Sequence, residues 1–404
     1  MKYGLIGKTL KHSYSKIIHE MFGEYSYDLV AMEENEISQF LKNDEYRGFN
    51  VTIPYKKTII PYCDEISAEA KKIGSVNTVV KKDGKIFGYN TDYAGFLAMA
   101  NRAGIEFHGK KIAILGSGGT YNTAFSVVRD KGAREIVSVS RNGEFNYQNI
   151  NKWNDCEIII NTTPVGMYPD NGNSVICLDD FKCCEGVIDV IYNPLKTKLV
   201  HEAEKKGIKA TGGLYMLVYQ AKEAFEIFTG KKTADADKVY QKLKKDMINV
   251  IFIGMPGSGK STAGKLASEI FKRELLDIDA MIEEKAQMTI PEIFDKYGED
   301  YFRNLETECA YEAGKLTGKV ISCGGGIIKR KENLYPLAQN GEIFWIKRDL
   351  NLLATDGRPL STDISTLKKM EVDRTPLYEK FADEVIENNS DINDLQEKIK
   401  FMLN

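Results

Sequence analysis

No stretch of these 404 residues comes near the ~18 consecutive apolar residues of a membrane helix, so no helical membrane protein is expected. The opening MKYGLIGKTLKHSYSK lacks even the ~7-residue apolar core of a secretory signal, and the cytosol is the expected compartment. Cysteine is sparse: seven in all, an odd number without a CxxC pair, which reads as reduced thiols rather than a disulfide framework or a zinc site. The adjacent Cys183 and Cys184 do not have the spacing of a metal knuckle. There is no excess of positive charge either. A net charge of -3 and a pI near 6.0 exclude a broad field for nucleic acid, leaving small anionic substrates met by local basic residues. Repeats, low-complexity segments and a Pro, Gly or Ser linker tract are also missing.

What is present is a chain too long for one ordinary core, since domains of ~100 to 200 residues are the norm, and its 43% apolar and 28% charged content is globular. Strand-like runs alternate with helical stretches: KIAIL before TAFSVVRDKG, EIIIN at 157 to 161, GVIDVIY at 186 to 192, then NVIFIG and KVISCGG. That alternation predicts an α/β fold with parallel sheets covered by helices. Two segments, 110 to 119 and 248 to 262, each read as strand, glycine-rich turn and helix start, so two nucleotide-binding domains are expected. The lysine-rich 234 to 247 has helical periodicity, which places the boundary near Asp246 without a long linker.

In the second half, Gly254 to Ser261 satisfies GxxxxGK[ST] directly behind the apolar NVIFI and before TAGKLASEIF, the context a P-loop requires. Backbone N–H groups of Pro256-Gly257-Ser258-Gly259 and the residues after them can turn toward phosphate oxygens, all but the proline having one to offer. Lys260 neutralises the terminal phosphates, the Ser261 hydroxyl can ligate magnesium, and Thr262 continues the cradle. Downstream come Asp277-Ile-Asp279, Tyr301-Phe302-Arg303-Asn-Leu-Glu306, Gly324-Gly325-Gly326 at a strand end, Asp356-Gly-Arg358-Pro359 and Asp373-Arg374-Thr-Pro-Leu-Tyr378. In this order behind a P-loop, they make 248 to 404 resemble the shikimate kinases. The resemblance implies that Asp277 supports magnesium and that Asp279 takes the acceptor hydroxyl's proton. It gives Arg303 and Arg374 the substrate carboxylate, lays the ring against Gly324 to Gly326, and closes Arg358 over the phosphates. The segment ahead of Arg358 carries fewer basic residues than such lids often do.

In the first half, Ser13-Tyr-Ser15, Asn50-Val-Thr52-Ile-Pro54-Tyr-Lys56, Val76-Asn77-Thr78 and Asn90-Thr91-Asp92 follow one another. A lysine ammonium at a ketone oxygen stabilises the charge that develops as hydride arrives and can deliver the proton, and a neighbouring carboxylate orients it. Lys56 and Asp92 are the expected pair. Further on, Gly116-Ser117-Gly118-Gly119-Thr120 follows a strand and should seat a pyrophosphate at a helix N-terminus, with Tyr121 where the fingerprint has its third glycine. About twenty residues beyond, Arg141 stands where an NAD site would carry an acidic residue, which favours a 2′-phosphate and hence NADP. With Asn161-Thr162-Thr163, Asp189-Val190-Ile-Tyr192 and Gly212-Gly213 through Gln220, residues 1 to about 245 resemble the shikimate dehydrogenases. The resemblance gives Ser13 and Ser15 the substrate carboxylate, Thr52 and Asn77 its hydroxyls, Tyr192 and Gln220 further substrate contacts, and Val190 and Gly213 the border of the nicotinamide.

Three domains follow from these resemblances: 1–100 plus about 213–246 for the dehydrogenase substrate, 101–212 as a Rossmann NADP domain, and 247–404 as a P-loop kinase domain. The implied chemistry is reduction of 3-dehydroshikimate with NADPH, then 3-phosphorylation of shikimate with ATP and magnesium. No nucleic-acid or membrane partner is expected. Two other readings stay open: a quinate-type dehydrogenase joined to another small-molecule kinase, and a non-catalytic sensor of pathway intermediates. All four of Lys56, Asp92, Lys260 and Asp279 are present, which speaks against the sensor.

Overall fold

The computed structural model describes residues 2–10, 13–232, 234–353 and 364–403. They form two compact units, one of 1–167, 173–193 and 202–243, the other of 168–172, 194–201 and 244–404.

The first unit holds two sheets. The N-terminal one comprises β1 (Lys2–Gly7), β2 (Ser26–Ala31), β3 (Tyr46–Val51), β4 (Glu65–Ile66), β5 (Thr78–Lys82) and β6 (Lys85–Tyr89), in the order β2-β1-β3-β5-β6-β4. It is mixed: β1 runs parallel to β2 and β3, whereas β5 is antiparallel to both β3 and β6. The second sheet is wholly parallel, with β7 (Lys111–Leu115), β8 (Glu135–Val139), β9 (Ile158–Asn161), β10 (Gly186–Asp189) and β11 (Lys209–Thr211) in the order β11-β10-β9-β7-β8. Its inner strands read as unbroken apolar runs because helices cover both faces, and Ile112, Ala113, Ile114 and Leu115 are all fully buried. Crossovers leave β7 toward both sides, so the crevice at the strands' carboxyl ends opens between β7 and β9.

The second unit is built on β12 (Asn249–Ile253), β13 (Leu275–Asp277), β14 (Val320–Ser322), β15 (Gly341–Lys347) and β16 (Glu384–Glu387), all parallel, in the order β13-β14-β12-β15-β16. Again the first strand is central and fully buried, and its carboxyl end lies at the switch point. Helix 290–315 starts on a capping box, the Thr289 hydroxyl and the Glu292 carboxylate each satisfying the other's backbone N–H, and it breaks at Gly298, where φ is 80°. That break separates Glu299 and Arg303 from the helix's first two turns.

Among the buried polar groups of the first unit, an imidazole bears on stability. His19, on helix Ser15–Phe22, is fully buried with its ring stacked 4.0 Å from that of Tyr27, and its Nδ1 meets the Tyr25 hydroxyl. Its Nε2 has no hydrogen-bond partner among the described residues. Burial lowers its pKa from 6.5 to about 3, the Asn50 side chain pulling the other way. Between those values the unfolded chain binds a proton that the native state refuses. The contribution is therefore whole above pH 6.5 and is lost as pH falls. From pH 7.5 to pH 5 this group alone is expected to cost roughly 2 kcal/mol of unfolding free energy. Urea unfolding across that range should show a flatter acid limb for His19→Gln; an identical limb would assign the acid sensitivity to other groups.

Candidate active sites

In the first unit, the chain brings Lys56 and Asp92 together across 36 positions: Lys56 Nζ donates to Asp92 Oδ2 at 2.6 Å. The other carboxylate oxygen, Oδ1, accepts from Asn77 Nδ2 at 2.9 Å. Both Asp92 oxygens are thus fixed, and the ammonium is held by a charge-assisted bond. Asp92 stands in the first turn of helix Asp92–Arg102, where the helix dipole also favours a carboxylate. Asn90 supports it: its Oδ1 accepts from the N–H of Asp92 (3.0 Å) and of Tyr93 (3.4 Å), while its Nδ2 donates to the Ser75 carbonyl. Thr91 bridges the same parts, donating its N–H to Asn77 Oδ1 at 2.8 Å and its hydroxyl to Gln220 Oε1 at 3.4 Å. So Lys56, Asp92 and Asn77 are bonded directly, Thr91 joins Gln220 to them, and Asn90 braces the backbone of Asp92; the sequence assigned neither Asn90 nor Thr91 a role.

Other residues expected here are placed more loosely. Ser13 and Ser15 are neighbours at a helix start, the Ser13 hydroxyl accepting from the Ser15 N–H at 3.2 Å. Thr52 follows β3 and donates its N–H to the Ile6 carbonyl. The Tyr192 ring stands edge-on to that of Tyr14 at 5.9 Å, and burial raises its phenol pKa, so it remains a neutral donor.

At the carboxyl end of β7, Gly116 takes φ 107° and passes its N–H to the Val139 carbonyl; Gly118 and Gly119 then open helix Gly119–Asp130 with clear space where a Cβ would stand. An anion can approach the backbone closely there. Ser117 and Thr120 flank the same turn. The Tyr121 hydroxyl reaches the Ser138 hydroxyl on β8, so this ring lies along the neighbouring strand. Arg141 is exposed in the turn directly after β8, where the Gly143 N–H donates to the Ser140 carbonyl. Val190 and Gly213 meet: the Gly213 N–H donates to the Ile191 carbonyl, and a Cβ at Gly213 would run into the Val190 carbonyl.

In the second unit, Gly254 to Gly259 curl between β12 and helix Lys260–Phe271. Lys260 is nearly buried and donates from Nζ to the carbonyls of Gly254 (3.0 Å) and Met255 (2.9 Å), which keeps its ammonium at the loop. Ser261 and Thr262 follow on the exposed side of the helix start. Asp277 ends β13 and caps helix Ile278–Ala286, its Oδ1 accepting from the N–H of Asp279 and of Ala280. Asp279 is half-buried, and its carboxyl is pushed above the usual range first by burial and then by Asp277, with Lys260 and Arg303 opposing.

Gly324 to Gly326 gather the rest. A Cβ at Gly324 would lie 2.6 Å from Asp279 Oδ1, one at Gly325 2.9 Å from the Pro256 ring, and one at Gly326 would overlap the Arg303 guanidinium. Only glycine lets this turn touch the base, the arginine and the phosphate loop at once. Arg303 is buried and donates from Nη1 to Glu306 Oε2 at 2.7 Å and from Nε and Nη2 to Glu299 Oε1. Of its five N–H donors, one on each terminal nitrogen remains for a ligand. Glu306 is fully buried, its Oε1 has no partner among the described residues, and burial raises its pKa. Arg374 Nη1 and the Tyr378 hydroxyl both donate to the Gly325 carbonyl, at 2.9 and 2.7 Å. Arg358 lies outside the described residues.

Comparison with known proteins bears on both halves. Residues 5–79 match the family model of the shikimate dehydrogenase substrate binding domain, 213–244 that of the shikimate 5′-dehydrogenase C-terminal domain, and 256–403 that of shikimate kinase. Shikimate dehydrogenase (NADP(+)) of Clostridium perfringens (strain SM101 / Type A) is 40% identical over 265 residues, spanning 60% of this chain and 98% of that protein. The crystal structure of a chorismate mutase/shikimate 5-dehydrogenase fusion protein from Clostridium acetobutylicum is similar with a TM-score of 0.57 and 35% identity, over 60% of this chain and 96% of that one. Shikimate 5-dehydrogenase from Thermus thermophilus, in complex with NADP(H) and shikimate, gives 0.54 and 28%, over 60% and 97%.

Proposed function

Because this chain belongs to the shikimate dehydrogenase family and carries a shikimate kinase domain behind it, we propose that its two sites act in sequence on one small molecule, the first reducing 3-dehydroshikimate and the second phosphorylating the resulting shikimate. The observation that carries the reading is that each unit holds its own converged set. Lys56, Asp92 and Asn77 are bonded to one another in the first, and Asp279, Arg303 and Pro256 surround one glycine turn in the second.

For reduction, NADPH supplies the hydride when bound. Lys56 holds its proton at Nζ, faces the developing oxyanion and releases the proton to it, while Asp92 keeps the ammonium in place through Oδ2. Asn77 and Thr52 would hold ring hydroxyls, Ser13 and Ser15 the carboxylate, and Tyr192 and Gln220 the remaining edge. The glycine turn from Gly116 to Thr120 would seat the pyrophosphate, with Val190 and Gly213 beside the nicotinamide. Arg141 favours NADP over NAD because an exposed guanidinium after β8 can pair with a 2′-phosphate, where an acid would repel it.

For phosphorylation, Asp279 accepts the acceptor hydroxyl's proton. Burial first and then Asp277 raise its pKa, which makes it a stronger base than an exposed aspartate, with Lys260 and Arg303 pulling the other way. Arg303 and Arg374, both against Gly324 to Gly326, would take the substrate carboxylate. Ser261 and Asp277 offer only hard oxygens, with Asp277 Oδ1 engaged as a cap and Oδ2 left over, a donor set that fits magnesium. When bound, magnesium would neutralise charge on the transferring phosphoryl group. Among the described residues, no helix is long and apolar enough to cross a membrane.

The test is a product assay by mass spectrometry with 3-dehydroshikimate, NADPH, ATP and magnesium, omitting each in turn. Shikimate without ATP, and shikimate 3-phosphate only from the complete mixture, is the expected result. NADPH consumed with no phosphorylated product would refute the second assignment, and no reaction in either half would refute both.

A further inference from the structure

A phosphate loop binds anions only if its peptide N–H groups face the anion, and each peptide plane could turn either way. In a planar trans peptide the C=O and the next N–H point in opposite directions, so whatever holds the oxygen also aims the N–H. The Ser258 carbonyl is held from outside the loop: Asn388 Nδ2 donates to it at 2.7 Å. Asn388 lies directly after β16, 130 positions along the chain, and is 5% exposed. Its own N–H donates to the Lys347 carbonyl at the end of β15, and the adjacent Asn389 accepts from the Asp349 N–H, so the side chain projects from a fixed turn. Gly259, at φ 100°, packs so closely on this amide that a Cβ there would stand 2.5 Å from Nδ2. The N–H of Gly259 therefore faces away from Asn388.

We propose that Asn388 is a positioning residue for nucleotide binding, holding the Ser258–Gly259 peptide so that the Gly259 N–H is presented to a nucleotide phosphate. The inference rests on the reading of 254–261 as the phosphate site and deepens it. It makes the phosphate loop depend on a side chain from the far end of the domain. A free peptide plane would have to be ordered when the anion arrives, whereas this one is ordered beforehand.

Two substitutions separate the hydrogen bond from packing. Asn388→Asp keeps the shape and turns an acceptor toward the carbonyl; Asn388→Ala removes the contact. Both should weaken ATP binding in the presence of magnesium, measured by calorimetry on the full chain, by about tenfold. KM for ATP should rise with it, while KM for shikimate stays within about twofold. Ketone reduction on the same chain serves as the folding control and should not change. Unaltered ATP affinity in both variants, or KM values for ATP and shikimate rising in step, would overturn the proposal. A wild-type chain that binds ATP but leaves shikimate unphosphorylated would refute the kinase reading, and the affinity ratio would still decide the role of Asn388. A wild-type chain that binds no nucleotide would overturn both.

Discussion

Lys56→Met is expected to lower kcat for reduction of 3-dehydroshikimate by roughly 10³-fold while leaving phosphorylation of shikimate at its wild-type rate. Methionine keeps the unbranched stem and about the same volume, so the change removes the ammonium and little else. With it go the proton donor and the positive charge facing the developing oxyanion. Asp92 loses the partner of its Oδ2, while Asn77 still holds Oδ1. The loss should fall on kcat more than on KM for the ketone, because the ammonium matters most when charge has developed. NADPH oxidation followed by absorbance reads the first activity, and the kinase on the same chain reports that the protein is folded. Retention of more than about a tenth of kcat would move the proton donor elsewhere, and Asp92→Asn would then be uninformative. If Lys56 has the assigned role, Asp92→Asn should be the milder variant, since the amide still offers an oxygen to Nζ but no charge.

The parts of these sites that the sequence disclosed are those whose chemistry is written in side chains. Lys56 and Asp92 could be paired because ketone reduction asks for an ammonium and a carboxylate to orient it, whereas Asn77 entered through the resemblance alone. The phosphate loop could be placed because glycines next to a lysine behind an apolar strand have few other uses. The parallel sheets were legible for a similar reason: strands buried on both faces, such as β7 and β12, cannot alternate and so appear as solid apolar runs. The mixed N-terminal sheet was not. The β5–β6 hairpin carries a local signal in Asp83-Gly84, both at positive φ, but β4 is two residues long and the pairings of β1 with β3, β3 with β5 and β4 with β6 join distant segments that local composition does not mark.

Residues that act on backbone were the hardest to see. Asn90 caps N–H groups, Tyr378 and Arg374 meet at the Gly325 carbonyl, and Asn388 holds the Ser258 carbonyl. A carbonyl has no letter in the sequence, so nothing in ENNS at 387 to 390 points to the loop 130 positions earlier. The same limit applies to Arg303. FRxxE suggested a carboxylate ligand, but the structure also binds its guanidinium to Glu299 and Glu306, which leaves two donors and a fixed direction for them. Those pairings make Arg303 a rigid fork rather than a mobile cation, a property of the folded helix beyond Gly298 that the motif alone does not carry.

Lys260→Met should be the counterpart of Lys56→Met: phosphorylation of shikimate falls by roughly 10³-fold and ketone reduction is untouched. Lys260 is 9% exposed and ties two loop carbonyls, so its charge reaches the phosphates from a fixed place. Arginine in its place would be no conservative change, since a planar fork does not fit where a compact ammonium is buried. In the complete mixture Lys260→Met should therefore stop at shikimate, and Lys56→Met should phosphorylate added shikimate but form none from the ketone. Mixed in one vessel, the two variants should restore conversion to shikimate 3-phosphate, because a small product released by one chain can enter the second site of another. Mass spectrometry of the mixture, compared with wild type at equal total sites, checks this. Full complementation establishes two independent sites on one chain. A lag before shikimate 3-phosphate appears in the mixture that wild type does not show, with each variant active in its own half-reaction, would mean that shikimate reaches the second site of the same chain before it mixes with solution.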